Sequence, residues 1–147
     1  MNNTIKITKG TLFALLQWLS RTPLAGQESR YRSRFIKEYS SVVDDIDKLR
    51  VEKAEELATK DADGNALKEL DEYGKERFAF TEENKKTLGE FWEALLAEEY
   101  HLDVVDETKP VLRGVKNILL KSTDKHVGSM ATSYDEWCSI FESADLK

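Results

Sequence analysis

A single cysteine, Cys138, in a chain of 147 residues excludes an intramolecular disulfide and leaves too few thiolates for a structural zinc site. A reducing compartment is the expectation. Proline occurs only at positions 23 and 110, and the seven glycines are scattered, so no Gly-rich phosphate loop is present. The apolar run TLFALLQWL near the start is interrupted by Gln17, is too short to span a bilayer and is followed by no small-residue cleavage site, which predicts neither export nor membrane insertion. The two histidines, His101 and His126, stand far apart without metal-ligand spacing. Carboxylates are plentiful, but Asp44 and Asp45, Glu55 and Glu56, and Glu98 and Glu99 are sequence neighbours. On a helix such neighbours diverge by about 100° and cannot converge on one substrate. No catalytic residue, no metal site and no cofactor is expected, so the chain reads as a protein that is not an enzyme.

What is present favours helix. Hydrophobic residues make up 40% and charged residues 34%, with three Trp, five Tyr and six Phe as core anchors. The length suits one domain, taken as residues 1–147. Net charge is −6 and unevenly placed. Residues 1–40 hold seven cations against Glu28 and Glu38, or +5, which leaves −11 for the remainder.

The periodicity predicts a mainly α fold: a long helical hairpin with a short two-stranded β patch and additional short helices. Leu12, Leu15, Leu16 and Leu19 mark a first helix within 8–20, ended by Pro23. From Gln27 to Lys60 no Gly or Pro occurs, and Phe35, Tyr39, Val42, Ile46 and Leu49 recur at spacings of four and three, the pattern of a coiled-coil seam. A helix over that span would be about 50 Å long. Asp63-Gly64 predicts a reversal, Leu67 to Tyr73 a second helical fragment, and Arg77 to Phe80 a strand. Thr81 caps a helix whose stripe is Leu88, Phe91, Trp92, Leu95 and Leu96. Tyr100 to Val105 reads as a second strand and pairs, on this reading, with Arg77 to Phe80. Pro110 opens a helix through Leu119, Lys121 to Thr132 is a loop, and a capping box at Ser133 to Glu136 starts a C-terminal helix.

The opening IKITKGTLF, the helix ending in KDADGN at 60–65, and FTEEN at 80–84 leading into HLDVV at 101–105 resemble small phage-encoded helical-hairpin proteins of uncharacterised function. The resemblance covers about residues 1–120. It implies a bacteriophage protein of virion or accessory kind, placed in the host cytoplasm or the virion, with no catalytic residues to carry over.

Three candidates remain. Asp61, Asp63, Asn65, Glu69 and Glu72 sit at ligand positions of a calcium loop, but Ala66 stands where the sharp turn wants Gly and Lys68 where an apolar residue belongs. A plain Asp-Gly turn is the favoured reading. Cys138, beside Trp137, reads as packing rather than as a nucleophile. Arg30, Arg34 and Lys37 follow i, i+4, i+7 on one helix face, with Tyr31 and Phe35 beside them. Such a stripe either tracks phosphates or docks on the protein's own acidic half or on a neighbour's, and the −11 of the remaining chain favours the second. The expected function is therefore non-catalytic interaction through helical protein–protein contacts, with self-association or another protein as partner, nucleic acid less favoured and no membrane. The alternative is a viral inhibitor of a host defence or nucleic-acid enzyme that acts as an acidic mimic.

Overall fold

A computed structural model describes residues 3–147, arranged as β1 (Asn3–Thr8), α1 (Lys9–Arg21), α2 (Gly26–Leu57), β2 (Lys68–Leu70), β3 (Glu76–Phe78), α3 (Glu82–Ala97), β4 (Glu99–Val104), α4 (Lys109–Lys121) and α5 (Ser129–Glu142). The mainly α class, the one long helix and the small β content stand as the sequence predicts. No described helix is long and apolar enough to cross a membrane. The chain falls into two compact units, Met1–Val42 with Leu96–Lys147, and Val43–Leu95.

In the first unit, β1 and β4 pair antiparallel with Ile5 opposite Leu102 and Ile7 opposite Tyr100. Alternation then puts Ile5, Ile7, Leu102 and Val104 on the buried face and Lys6, His101 and Asp103 on the other. This corrects the expected strand pairing: the partner of β4 is the N-terminal strand, not Arg77 to Phe80. Thr8 closes β1 and caps α1, its Oγ1 accepting from the Thr11 N–H at 3.1 Å. Lys9 holds the junction with β4, its amide donating to the Glu98 carbonyl at 2.9 Å and its Nζ lying 2.6 Å from the Glu98 carboxylate. The core collects Leu12, Leu15, Leu16 and Leu19 of α1, Phe35 and Tyr39 of α2, Leu112, Val115, Ile118 and Leu119 of α4, and Trp137 and Phe141 of α5. α5 begins at Ser129 after Gly128 at φ +59°, so Ser133 to Glu136 lie inside the helix rather than at its start. The reason is glycine, whose left-handed backbone makes the turn one helical turn earlier than the capping box suggested.

In the second unit, Thr81 caps α3 by accepting from the Asn84 N–H at 3.1 Å, while the Asn84 side chain donates to the Leu57 carbonyl at 2.9 Å. One side chain thus satisfies an orphan carbonyl at the end of the preceding helix. Between the helices, Leu67 to Tyr73 are not helical: β2 pairs antiparallel with β3, Glu69 opposite Arg77, and Lys60 bridges Ala66. Backbone bonds close a ring of three, Thr59 donating to Ala79 at 2.8 Å, Ala79 to Leu67 at 2.9 Å and Leu67 to Thr59 at 2.7 Å. Only four hydrophobic side chains are buried between Val43 and Leu95, namely Ile46, Ala58, Ala79 and Leu95, and two of these are alanines. Leu49, expected in the seam, is 40% exposed. Its neighbours Arg50 and Lys53 cover the facing aromatics instead, at 5.8 Å from the Trp92 ring and 5.5 Å from the Phe91 ring.

Candidate interaction face

The first half of α2 has two sides with different chemistry. Its inner side carries Phe35 and Tyr39, with ring centroids 4.9 Å apart; Phe35 meets Phe141 at 6.5 Å and Tyr39 meets Tyr100 at 6.2 Å. Burial, with Glu38, Tyr100 and Asp103 adding negative field, pushes the Tyr39 phenol up to about 12. These anchors fix the rotation of the helix and leave Arg30, Arg34 and Lys37 exposed together.

Not every cation of this segment is free. Arg32 donates to the Thr22 carbonyl and, at 3.3 Å, to Ser29 Oγ, and Glu28 lies 3.8 Å from Lys121. Arg30, Arg34 and Lys37 form no ion pair with any described residue, so the stripe singled out by spacing is the unpaired part of the cluster. Tyr31, expected beside it at the partner surface, is half-buried and packs against Gly114 of α4. Its ring belongs to the seam between α2 and α4.

A shallow groove of about 420 Å³ adjoins the stripe, lined by Arg34, Lys37, Glu38 and Tyr39 from α2 and by Glu107, Thr108, Val111 and Leu112 from the start of α4. Thr108 shapes that wall: its hydroxyl donates to the Asp103 carbonyl at 2.6 Å and accepts from the Val105 N–H at 3.0 Å. Two cations and two carboxylates line the groove, a mixed character that suits a protein surface better than a bare anion. Sequence reasoning missed the α4 contribution, because Glu107 and Thr108 sit in a turn about seventy residues from the stripe and no local signal joins them.

A second cluster was also missed. His126, placed by sequence in a loop, stacks on Tyr134 at 4.5 Å and meets Trp18 edge-on at 6.3 Å, while Trp18 and Trp137 lie 5.7 Å apart. Trp137 Nε1 donates to the Thr11 carbonyl at 3.1 Å, and the Tyr134 hydroxyl donates to the Leu119 carbonyl. Burial pushes the Cys138 thiol up from its ordinary value, a shift away from thiolate character. The cluster ties α1, α5 and the 122–128 segment together as packing.

The acidic segment 61–72 forms a hairpin with two turns of one design. Asp61 Oδ1 accepts the Asp63 and Asn65 amides at 2.9 and 3.0 Å, and Asp71 Oδ1 accepts the Tyr73 and Lys75 amides at 2.9 Å each. Gly64 and Gly74 follow at φ +82° and +76°. The ligand positions of the calcium reading are thereby spread along a strand pair, with the Asp61 carboxylate turned onto its own backbone. The Lys75 amide and then the Arg77 side chain hold the Asp71 carboxyl below its ordinary value.

By residue count, the second unit carries sixteen acidic and nine basic residues, a net of −7, against +1 for the first, whose thirteen basic residues nearly balance twelve acidic ones. The unpaired basic stripe and the acidic second unit are the two features with the chemistry to recognise a partner. Comparison with family models, with characterised proteins and with solved structures gave no match to this chain.

Proposed function

We propose that this chain is a non-catalytic interaction protein, phage-encoded and of virion or accessory kind, that binds a protein partner through the exposed basic face of α2. The observation that carries the reading is that Arg30, Arg34 and Lys37 make no ion pair with described residues while the other side of the same helix is anchored by Phe35 and Tyr39. Cations held on a rigid element and left unneutralised favour an anionic partner and speed its encounter. The resemblance to small phage-encoded helical proteins supports the source and the accessory role.

The test is affinity capture with cross-link mapping from bacterial cells producing the tagged protein, comparing wild type with Arg30→Glu, Arg34→Glu, Lys37→Glu combined. The reading expects cross-links at 30–37 in the wild type, their loss in the triple variant, and unchanged helical circular dichroism. A triple variant that keeps every association, or that unfolds, overturns it.

A second reading rests on the −7 of the second unit. An acidic surface of that kind competes for the phosphate-binding site of a nucleic-acid enzyme in the host, as an inhibitor of defence or of nucleic-acid processing. It predicts competition with DNA for that enzyme, relieved by neutralising Glu83, Glu90 and Glu93.

A further inference from the structure

β1 has one strand partner, β4, and its other edge opens on a groove. The Lys9 amide bonds the Glu98 carbonyl one step beyond the last pair of the ladder, Thr8 with Glu99. Bonded and unbonded pairs alternate in an antiparallel ladder, so Asn3, Ile5 and Ile7 turn their backbone groups toward β4, whereas Thr4 and Lys6 turn theirs away from it. No hydrogen bond from another described residue reaches the backbone groups so turned. Beside that edge lie two cavities of about 340 and 350 Å³, one along Thr4, Ile5 and Lys6 and the other along Lys6, Ile7 and Thr8, with Ser139 and Ile140 of α5 common to both. They form a trough the length of β1, walled by the strand and by α5, and at its Thr4 end the Asn3 side chain donates to the Asp145 carbonyl at 3.1 Å. We infer that this trough takes an extended, basic segment of a partner protein, which adds to β1 as a third strand. It shares no residue with Arg30, Arg34 and Lys37, so it is a second surface, independent of the one proposed above.

Charge along the trough selects the occupant. Lys6 is the one charged residue lining the Thr4 half, where Ser139, Ser143 and Ala144 of α5 complete the wall. The Thr8 half sets Glu99 of β4 and Asp135 and Glu136 of α5 against that same Lys6, three carboxylates to one ammonium, or −2. All three are exposed; Glu99 lies 3.6 Å from His101 Nε2, and Glu136 accepts from the Thr11 hydroxyl at 3.5 Å. Lys9 does not neutralise them, because its Nζ is held 2.6 Å from Glu98. Antiparallel addition, the stronger pairing, brings the N-terminal end of the added segment to Thr8. A lysine or arginine at that end meets the three carboxylates, and Lys6 stands two residues away, about 7 Å along the strand. A second copy is the poorer occupant: pairing two β1 edges about a two-fold axis sets the two Lys6 side chains directly opposite or on the next diagonal, on one face of the sheet.

Amide-resolved NMR titration of the isotopically labelled full chain tests this with two capped seven-residue peptides of alternating valine and threonine, one with lysine at its N-terminal end and one with glutamate there. The lysine peptide is expected to shift the amides of Thr4, Lys6 and Thr8 and those of Ser139 to Ser143, with a Kd below about 1 mM, and the glutamate peptide to bind about tenfold more weakly. Lys6→Pro removes an outward donor while leaving the bonds to β4 in place, and should abolish the shifts. Glu99→Lys with Asp135→Lys should reverse the order of the two peptides, and it decides the matter should Lys6→Pro unfold the chain. Shifts that fall elsewhere or do not occur, a folded Lys6→Pro variant that binds as the wild type does, or an unchanged peptide order in the charge-reversed variant each overturn the inference. Concentration-dependent shifts at Thr4 and Lys6 without peptide would assign the edge to a second copy and overturn it too.

Discussion

The ring of Tyr31 occupies the space in which a β-carbon on Gly114 would stand: such a carbon would lie 2.4 Å from Cγ and Cδ2 and 2.7 Å from Cβ of the tyrosine. This glycine is required by contact, not by backbone conformation, since it sits inside α4 at ordinary helical angles. It lets an aromatic residue of α2 approach the α4 backbone directly.

Gly114→Ala is therefore expected to destabilise the protein by about 1–2 kcal/mol, because the overpacking cost exceeds the helix-propensity gain of about 1 kcal/mol. Thermal melts of Gly114→Ala and of Gly114→Ala with Tyr31→Ala check it. With Tyr31→Ala melted alone as the reference, Gly114→Ala should cost less in that background than in the wild type, because the space is already clear, and a single Gly114→Ala variant more stable than wild type would remove the close approach from the account.

Tyr39 sets an alkaline limit. Its phenol ionises near 10 in the unfolded chain and near 12 in the folded one, so the unfolded state loses its proton first as pH rises. Stability from this group is complete below pH 10 and is lost as pH climbs toward 12. The melting temperature should fall across that window, and Tyr39→Phe should flatten the fall. Equal slopes for wild type and variant would show that Tyr39 is not the source.

The two hairpin turns predict local rather than global effects. Gly64→Ala or Gly74→Ala forces an L side chain to φ near +80° at a cost of about 1 kcal/mol. Nothing lies near either position to clash, so the cost is conformational. Hydrogen exchange should quicken between residues 59 and 79 while amides of α1, α4 and α5 keep wild-type protection. Uniform acceleration across the chain would mean that the hairpin opens only with everything else.

Helices were legible in the sequence where one face had to be buried and an end had a cap. The leucines of α1, the gap-free run of α2, Thr81 before α3 and Pro110 at the start of α4 each carried a local signal that tertiary structure had no reason to override. Strand pairing was not, because β1 offers only Ile5 and Ile7 about Lys6, and its partner lies some ninety residues away. The hairpin was misread as helix because Leu67 to Leu70 has no β-branched residue. The signal that would have found it is the repeat Asp-x-x-Gly at 61–64 and again at 71–74, ten residues apart. Of the candidate site, the stripe at Arg30, Arg34 and Lys37 was legible from spacing alone. That it is the unpaired part of the cluster, and that Tyr31 is spent on Gly114, depended on α4 and had no local trace.

The ring of backbone bonds among Thr59, Leu67 and Ala79 brings the two ends of the hairpin to one point. Chain entering at 59 and chain leaving at 79 are a single hydrogen bond apart, so everything between them is a closed insert on the end of a helix pair. Such an insert can be shortened, replaced or grafted elsewhere without changing the path of the helices that carry it, because its ends already meet. The hairpin is thus the place where this protein can diversify most freely, and related chains should differ there in length and sequence before they differ anywhere in the first unit.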